Sequence, residues 1–173
     1  MCLFETQRLS VRRLDHDDLE AMYAVYSDVP AMRWVDDGQG LDRTKCEQWI
    51  EVTQNNYETR GYGMSAIELL PADTETGSAI GFCGLVHPRG QVQAELKYAL
   101  LREYWSQGYA TEAARGMIQY GQATFRLEEI IATVAPENLA SQRVLAKAGM
   151  RHVETLQEED GTRNELFRWS RHD

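Results

Sequence analysis

Glu95-Leu96-Lys97-Tyr98-Ala99-Leu100, then Leu101 to Ser106, then Gln107-Gly108-Tyr109-Ala110-Thr111-Glu112-Ala113: this stretch decides the fold. Leu96, Tyr98 and Leu100 alternate, which predicts a strand with one apolar face. Ala113, Ala114, Met117, Ile118, Gly121 and Phe125 lie on one side of a roughly 3.6-residue period, which predicts an amphipathic helix. Between them runs a short turn with one glycine and small neighbours. The first turn of a helix leaves its amides without partners, and the helix dipole adds positive potential there. A phosphate can use both if the side chains are small enough to let it approach. Gly108 and Ala110 give that room. Alone, the glycine reads most simply as an ordinary turn.

Upstream, Leu9-Ser10-Val11-Arg12-Arg13-Leu14 alternates and predicts the first strand, and Asp15 is placed to cap a helix carrying Leu19, Met22, Tyr23 and Tyr26. Residues 27–39 read as a loop with Pro30 and Trp34. Asp42 or Thr44 opens a second helix, with Cys46, Trp49, Ile50, Thr53 and Tyr57 on one side, and Gly61-Tyr62-Gly63 breaks it. Strands follow at 64–69 and 78–86. The glycines of the second, Gly81 and Gly84, suit a bulge or a close backbone approach. Pro71 to Gly77 reads as a polar turn. After this antiparallel meander the order becomes strand, helix, strand, helix, strand: 95–100, the helix near Thr111, 130–134, 138–148 and 152–157. Asp160-Gly161 turns the chain into a last strand at 164–169. That order predicts one mixed α/β domain, with a single twisted sheet flanked by helices.

A second stretch carries chemistry: Pro136-Glu137-Asn138-Leu139-Ala140-Ser141-Gln142-Arg143-Val144-Leu145-Ala146-Lys147-Ala148-Gly149-Met150. Structure alone accounts for most of it. Asn138 is an N-cap, Gly149 follows the helix, and Val144, Leu145 and Ala148 form its buried stripe. Ser141 has no structural reason to be there.

Trp105 to Ala113 resembles the acyl-CoA pyrophosphate loop of the GCN5-related N-acetyltransferase (GNAT) superfamily. It is most similar to the branch containing ribosomal-protein N-terminal acetyltransferases. Trp105 stands where the superfamily usually has Gln or Arg, and Ser106 where it usually has Gly. Asn138, Ser141, Gly149 and Met150 fall on the places of the family's second motif. The opening 5–12, Met32 and Trp49-Ile50 also resemble this branch, so the likeness runs along nearly the whole chain. It implies the acyl-CoA N-acyltransferase fold, with one mostly antiparallel sheet over residues 1–173.

The resemblance also implies a site. A bulge would splay the central strand from its neighbour, and the pantetheine arm would pair with free backbone groups of Tyr98, Ala99 and Leu100. The diphosphate would sit on Ser106, Gln107, Gly108, Tyr109, Ala110 and Thr111, with Asn138 and Ser141 completing the acetyl-CoA contacts. Acetyl transfer needs a neutral amine, and an alkylamine near pKa ~10.4 must first lose a proton. Backbone donors on the strand edge can hold the thioester oxygen. Many relatives use a Tyr as acid seven residues after the Asn; here that place is Leu145, which has no proton to give, so Ser141 takes the role. Some peptide acetyltransferases carry a Glu on the strand before the Asn motif, where this chain has Thr133. Glu95 is then the foremost candidate base, with Glu158 and Glu159 behind it. Lys97 replaces a glycine common in the branch and bears on the acceptor side of the pocket. Trp34, beside Asp36 and Asp37, is a candidate wall for a cationic or N-terminal amine.

The implied activity is acetyl transfer from acetyl-CoA to a primary amine by direct attack in a ternary complex. The acceptor is either a protein N-terminus or a small amine. Two other readings stand beside it: a non-catalytic acyl-CoA sensor or partner module, and a structural protein with a fortuitous glycine loop. Bulk properties narrow the field. The 173 residues carry a net charge of −9, which argues against a nucleic-acid surface. The apolar share of 43% and charged share of 26% suit a soluble domain. No apolar run nears the ~18 residues of a membrane span, and Met1 to Thr6 does not read as a signal peptide. Cys2, Cys46 and Cys83 lack metal-like spacing and suggest a reducing cytoplasm. The four histidines, His16, His87, His152 and His172, show no partner spacing. A homodimer is common among similar proteins.

Overall fold

The alternating stretch forms strand β5 (Ala94–Leu100), in the middle of an eight-stranded sheet. The computed structural model describes residues 1–34, 38–70, 78–157 and 161–172. On one side of β5 the sheet runs through β4 (Gly81–Val86), β3 (Met64–Leu69) and β2 (Leu9–Arg13) to β1 (Cys2–Glu5). On the other side lie β6 (Glu129–Val134), β8 (Arg163–Ser170) and, at the edge, β7 (Arg151–Gln157). Neighbours are antiparallel except β5 and β6, which run parallel. This is the expected mixed sheet. β1 is an addition: Cys2–Glu5 pairs with β2, and Phe4 packs against Tyr120 with ring centroids 5.6 Å apart.

Alternation along β5 sorts the two layers. Leu96 and Leu100 join the apolar cluster under α4 (Tyr109–Phe125) and α5 (Leu139–Lys147). Ala99 faces the opposite cluster, which holds Met22 and Tyr26 of α1 (Leu19–Tyr26) and Cys46 and Ile50 of α3 (Arg43–Arg60). The single turn α2 (Val29–Met32) interrupts the stretch predicted as loop and buries Met32. Asp42 caps α3, its side chain accepting from Lys45 N at 2.8 Å. Asp15 caps a short 3-10 turn, His16–Asp18, rather than α1 itself.

The glycines of β4 serve close approach and not a bulge. A Cβ on Gly81 would lie 2.4 Å from the Ala99 carbonyl oxygen, and one on Gly84 2.3 Å from that of Gly63. β4 keeps one register against both neighbours. The turn 71–77 lies outside the described residues. Among the described residues no helix is long and apolar enough to cross a membrane.

Candidate active site

β5 and β6 pair only at Ala94 with Ile130 and at Glu95 with Ile131. Beyond Glu95 they part, although β6 stays on β8 as far as Val134 and β5 stays on β4 as far as Leu100. A fork results, with one edge of Leu96 to Leu100 unpaired. No bulge is involved, contrary to expectation: β4 and β5 hold six successive pairs without a shift. Leu101 N–H donates to the carbonyl oxygen of Ile80, the residue just before β4, at 3.0 Å. Backbone groups alternate in direction along a strand, so those of Ala99 also turn to β4. Ala99 therefore does not offer its backbone to the gap; Tyr98 and Leu100 do. The Leu100 carbonyl already accepts the Trp105 indole N–H at 2.8 Å.

At the end of this edge the chain makes the turn predicted to hold a diphosphate. Ser106 and Gly108 have φ of +60° and +85°, and α4 starts at Tyr109, two residues before Thr111. Gly108 is the N-cap and no side chain caps the helix. The first ladder bond is Glu112 N to Gly108 O, 3.0 Å, so the amides of Tyr109, Ala110 and Thr111 have no intrahelical partner. Gln107 points its side-chain amide back to Glu103 O at 2.7 Å.

Arg8 backs this turn, and the sequence pattern gave no signal for it. Its guanidinium reaches Gln107 O at 3.0 Å and Glu112 at 2.7 Å, and lies 4.4 Å above the Tyr109 ring centroid. Glu112 also accepts from Thr6 Oγ1 at 2.6 Å and from the Arg8 amide at 2.8 Å. Partial burial pushes the Glu112 carboxyl up, but the bonds from Thr6 and Arg8 outweigh it and hold the group below its ordinary value. The negative charge in the first turn is thus already matched.

α5 begins at the other side of the fork. The Asn138 side chain accepts from Ser141 N at 3.1 Å, so it caps its own helix. Ser141 Oγ lies 2.6 Å from the Tyr98 hydroxyl, which also donates to Ser141 O at 3.2 Å. Burial pushes the Tyr98 phenol up to about 12, against a smaller pull from Ser141, so Tyr98 is a neutral hydroxyl. The two hydroxyls bridge β5 and α5. Leu145 is buried and has no proton to give.

Glu95, expected as the base, sits where the strands part and is 3% exposed. Lys97 Nζ and Thr133 Oγ1 each donate to one carboxylate oxygen at 2.5 Å, Thr133 N joins them at 3.3 Å, and Gln91 reaches the other oxygen at 3.2 Å. A carboxylate so enclosed and so fully bonded is badly placed to take a proton from an incoming amine. This enclosure counts against Glu95 as the base. Glu158 and Glu159 lie outside the described residues.

A cavity of about 650 Å³ opens between the loop after α2, the β6–α5 loop and the start of β8, lined among others by Arg33, Trp34, Glu137, Arg163 and Asn164. Trp34 is there as expected, but the Arg33 guanidinium lies 4.7 Å over its ring, so an internal cation already covers one face. Asp36 and Asp37 lie outside the described residues. Glu137 and Arg163 were not singled out from sequence, because isolated charges in loops carry no periodic signal.

The acetyltransferase (GNAT) domain model matches residues 8–151. The protein YkkB of Bacillus subtilis is 31% identical over 155 residues, covering 87% of this chain and 86% of YkkB. An acetyltransferase from Agrobacterium tumefaciens superposes with a TM-score of 0.82 at 25% identity, over 97% of this chain and 94% of that one. RimJ of Mycobacterium smegmatis, solved in complex with CoA-disulfide, superposes with a TM-score of 0.77 at 21% identity, over 95% and 82%.

Proposed function

The chain belongs to the GNAT acetyltransferase family and is an N-acetyltransferase that uses acetyl-CoA; from that premise we propose that its acceptor is a primary amine, of a protein N-terminus or of a small molecule, attacked directly in a ternary complex. The observation that carries this reading is the fork, with an uncapped helix turn at its open end and a pair of hydroxyls across it.

The fit to acetyl-CoA is chemical. The open amides of Tyr109, Ala110 and Thr111 suit a diphosphate, with Ser106, Gln107 and Gly108 shaping the turn. The gap-side groups of Tyr98 and Leu100 suit an amide-bearing arm laid alongside β5. Acetyl-CoA supplies an acetyl thioester there. Tyr98 and Leu100 present backbone donors to a carbonyl oxygen. Ser141 Oγ–H hydrogen-bonds the leaving sulfur when the single Tyr98 Oη–H turns from Ser141 O to Ser141 Oγ, both within its reach. A simple thiol has a pKa of about 8.5. Both hydroxyls are weaker acids than that, so they stabilise a thiolate by hydrogen bonding rather than surrender a proton outright. With Glu95 enclosed, the amine proton leaves through water in the cavity by Trp34 and Glu137.

The test is thiol release from acetyl-CoA across a panel of small amines and of peptides differing in their first residue. Release with one class identifies the acceptor. No release with any amine, in a chain that binds CoA, removes this reading of the acceptor.

A further inference from the structure

We infer that Glu95 is a positioning residue: with Thr133 it ends the β5–β6 ladder and holds the fork open where the thioester is read to lie. In a parallel pair the hydrogen bonds are evenly spaced. After Ile131, the next amide of β6 to face β5 is that of Thr133, and a continued ladder would take it to a carbonyl of β5. Instead Thr133 N–H points at Glu95 Oε1, 3.3 Å away, and Thr133 Oγ1 donates to the same oxygen at 2.5 Å. The side chain of Glu95 has replaced the backbone as acceptor. The ladder ends there, and the β5 residues beyond it have no pair on β6.

Lys97 holds this carboxylate in place. It lies two residues along on the same face of β5, and its ammonium sits 2.5 Å from Oε1 and 3.5 Å from Thr133 Oγ1. Gln91 fixes the second oxygen at 3.2 Å. Buried carboxylates are retained when every lone pair has a donor, and this one is paired on both oxygens. The arrangement explains why a charged residue occupies a buried strand position without contacting the acceptor cavity. It also accounts for Lys97 where related sequences have glycine: the ammonium neutralises the anion that props the fork.

The inference rests on the reading that the gap receives the acyl-CoA arm, so its test measures cofactor binding apart from turnover. CoA is titrated calorimetrically into the full chain and into Glu95→Gln, Thr133→Val and Thr133→Ser, with kcat, acetyl-CoA KM and the pH profile of kcat in parallel. Glu95→Gln and Thr133→Val should each weaken CoA by about tenfold and raise acetyl-CoA KM to match. The acid limb of kcat, which a general base would set, should stay in place. Thr133→Ser should restore binding, and the double variant should be no worse than either single one. If Glu95→Gln folds poorly, the Thr133 pair decides alone. Unchanged CoA affinity in Thr133→Val overturns the inference. So does a Glu95→Gln variant with intact affinity, collapsed kcat and a lost acid limb, which would return the base role to Glu95. A wild-type chain that binds no CoA removes the underlying reading and this inference with it; a wild type that binds while Thr133→Val binds equally removes the inference only.

Discussion

Two helices begin at the fork, and they begin differently. α5 is closed by its own Asn138, whose side chain accepts from Ser141 N at 3.1 Å. α4 starts at a glycine in left-handed conformation, with no side chain across its first turn. The end left open by the protein's own side chains, with Gly108 exposed, is the one proposed above for the diphosphate. The charge around them agrees. Glu112 in the open turn would repel an anion, but Thr6 and Arg8 bind it from behind. The capped helix brings a hydroxyl to the gap, and the open one brings bare amides. In the proposed reading the first serves the chemistry and the second the grip.

The sharpest way to break this contrast is at the open turn. Gly108→Val puts a branched side chain at φ +85°, with its Cβ 3.3 Å from the Arg8 guanidinium. It should cost about 1–3 kcal/mol of stability and weaken CoA by about tenfold or more as an amide swings away. Melting and calorimetry check both; intact affinity would mean the turn does not hold the diphosphate. At the capped helix, Ser141→Ala should lower kcat by about tenfold, the scale of one hydrogen bond to a charged sulfur, with CoA affinity within about twofold. Steady-state kinetics with calorimetry separate the two, and unchanged turnover removes Ser141 from the mechanism.

Asn138→Ala should cost about 1 kcal/mol through the lost cap, seen as a melting shift of about 2–4 °C, and should spare CoA binding. A clear loss of affinity would instead make Asn138 a cofactor contact, as the family likeness implies. The smallest effect concerns acid. The Glu112 carboxyl is held below its ordinary 4.5 in the folded chain. Its contribution to stability is therefore present above that value and lost as pH falls through the lower folded one. Glu112→Gln should flatten the acid side of a plot of melting temperature against pH. An unaltered slope would show that Arg8 braces the turn without regard to charge.

Periodicity made much of this molecule legible. Leu96, Tyr98 and Leu100 announced β5, and the stripe of Ala113, Met117 and Ile118 announced α4, because each buries one face of a regular element. Ser141 stood out for the complementary reason that structure alone left it unexplained, while the glycine turn, ordinary by itself, stood out through resemblance. What stayed hidden has no period. Arg8 and Glu112 lie 104 residues apart. The engagement of Glu95 depends on a neighbouring strand, and the direction of the Ala99 backbone depends on register against β4. The fork was legible only through resemblance, and its cause, a side chain in place of a ladder bond, only in three dimensions. The cavity walls come from loops, where single charges such as Glu137 look like any solvated surface.

The brace behind the open turn has a consequence for how the protein is made. Thr6 and Arg8 emerge early in synthesis, but their partner Glu112 follows 106 and 104 residues later. Until then β1 can pair with β2 and β2 with β3, but the side chains of Thr6 and Arg8 lack their carboxylate partner. A growing chain therefore braces the open turn late, through contacts of high sequence separation, which form slowly. A break in the chain near residue 8 would be felt a hundred residues away, at the mouth of the helix.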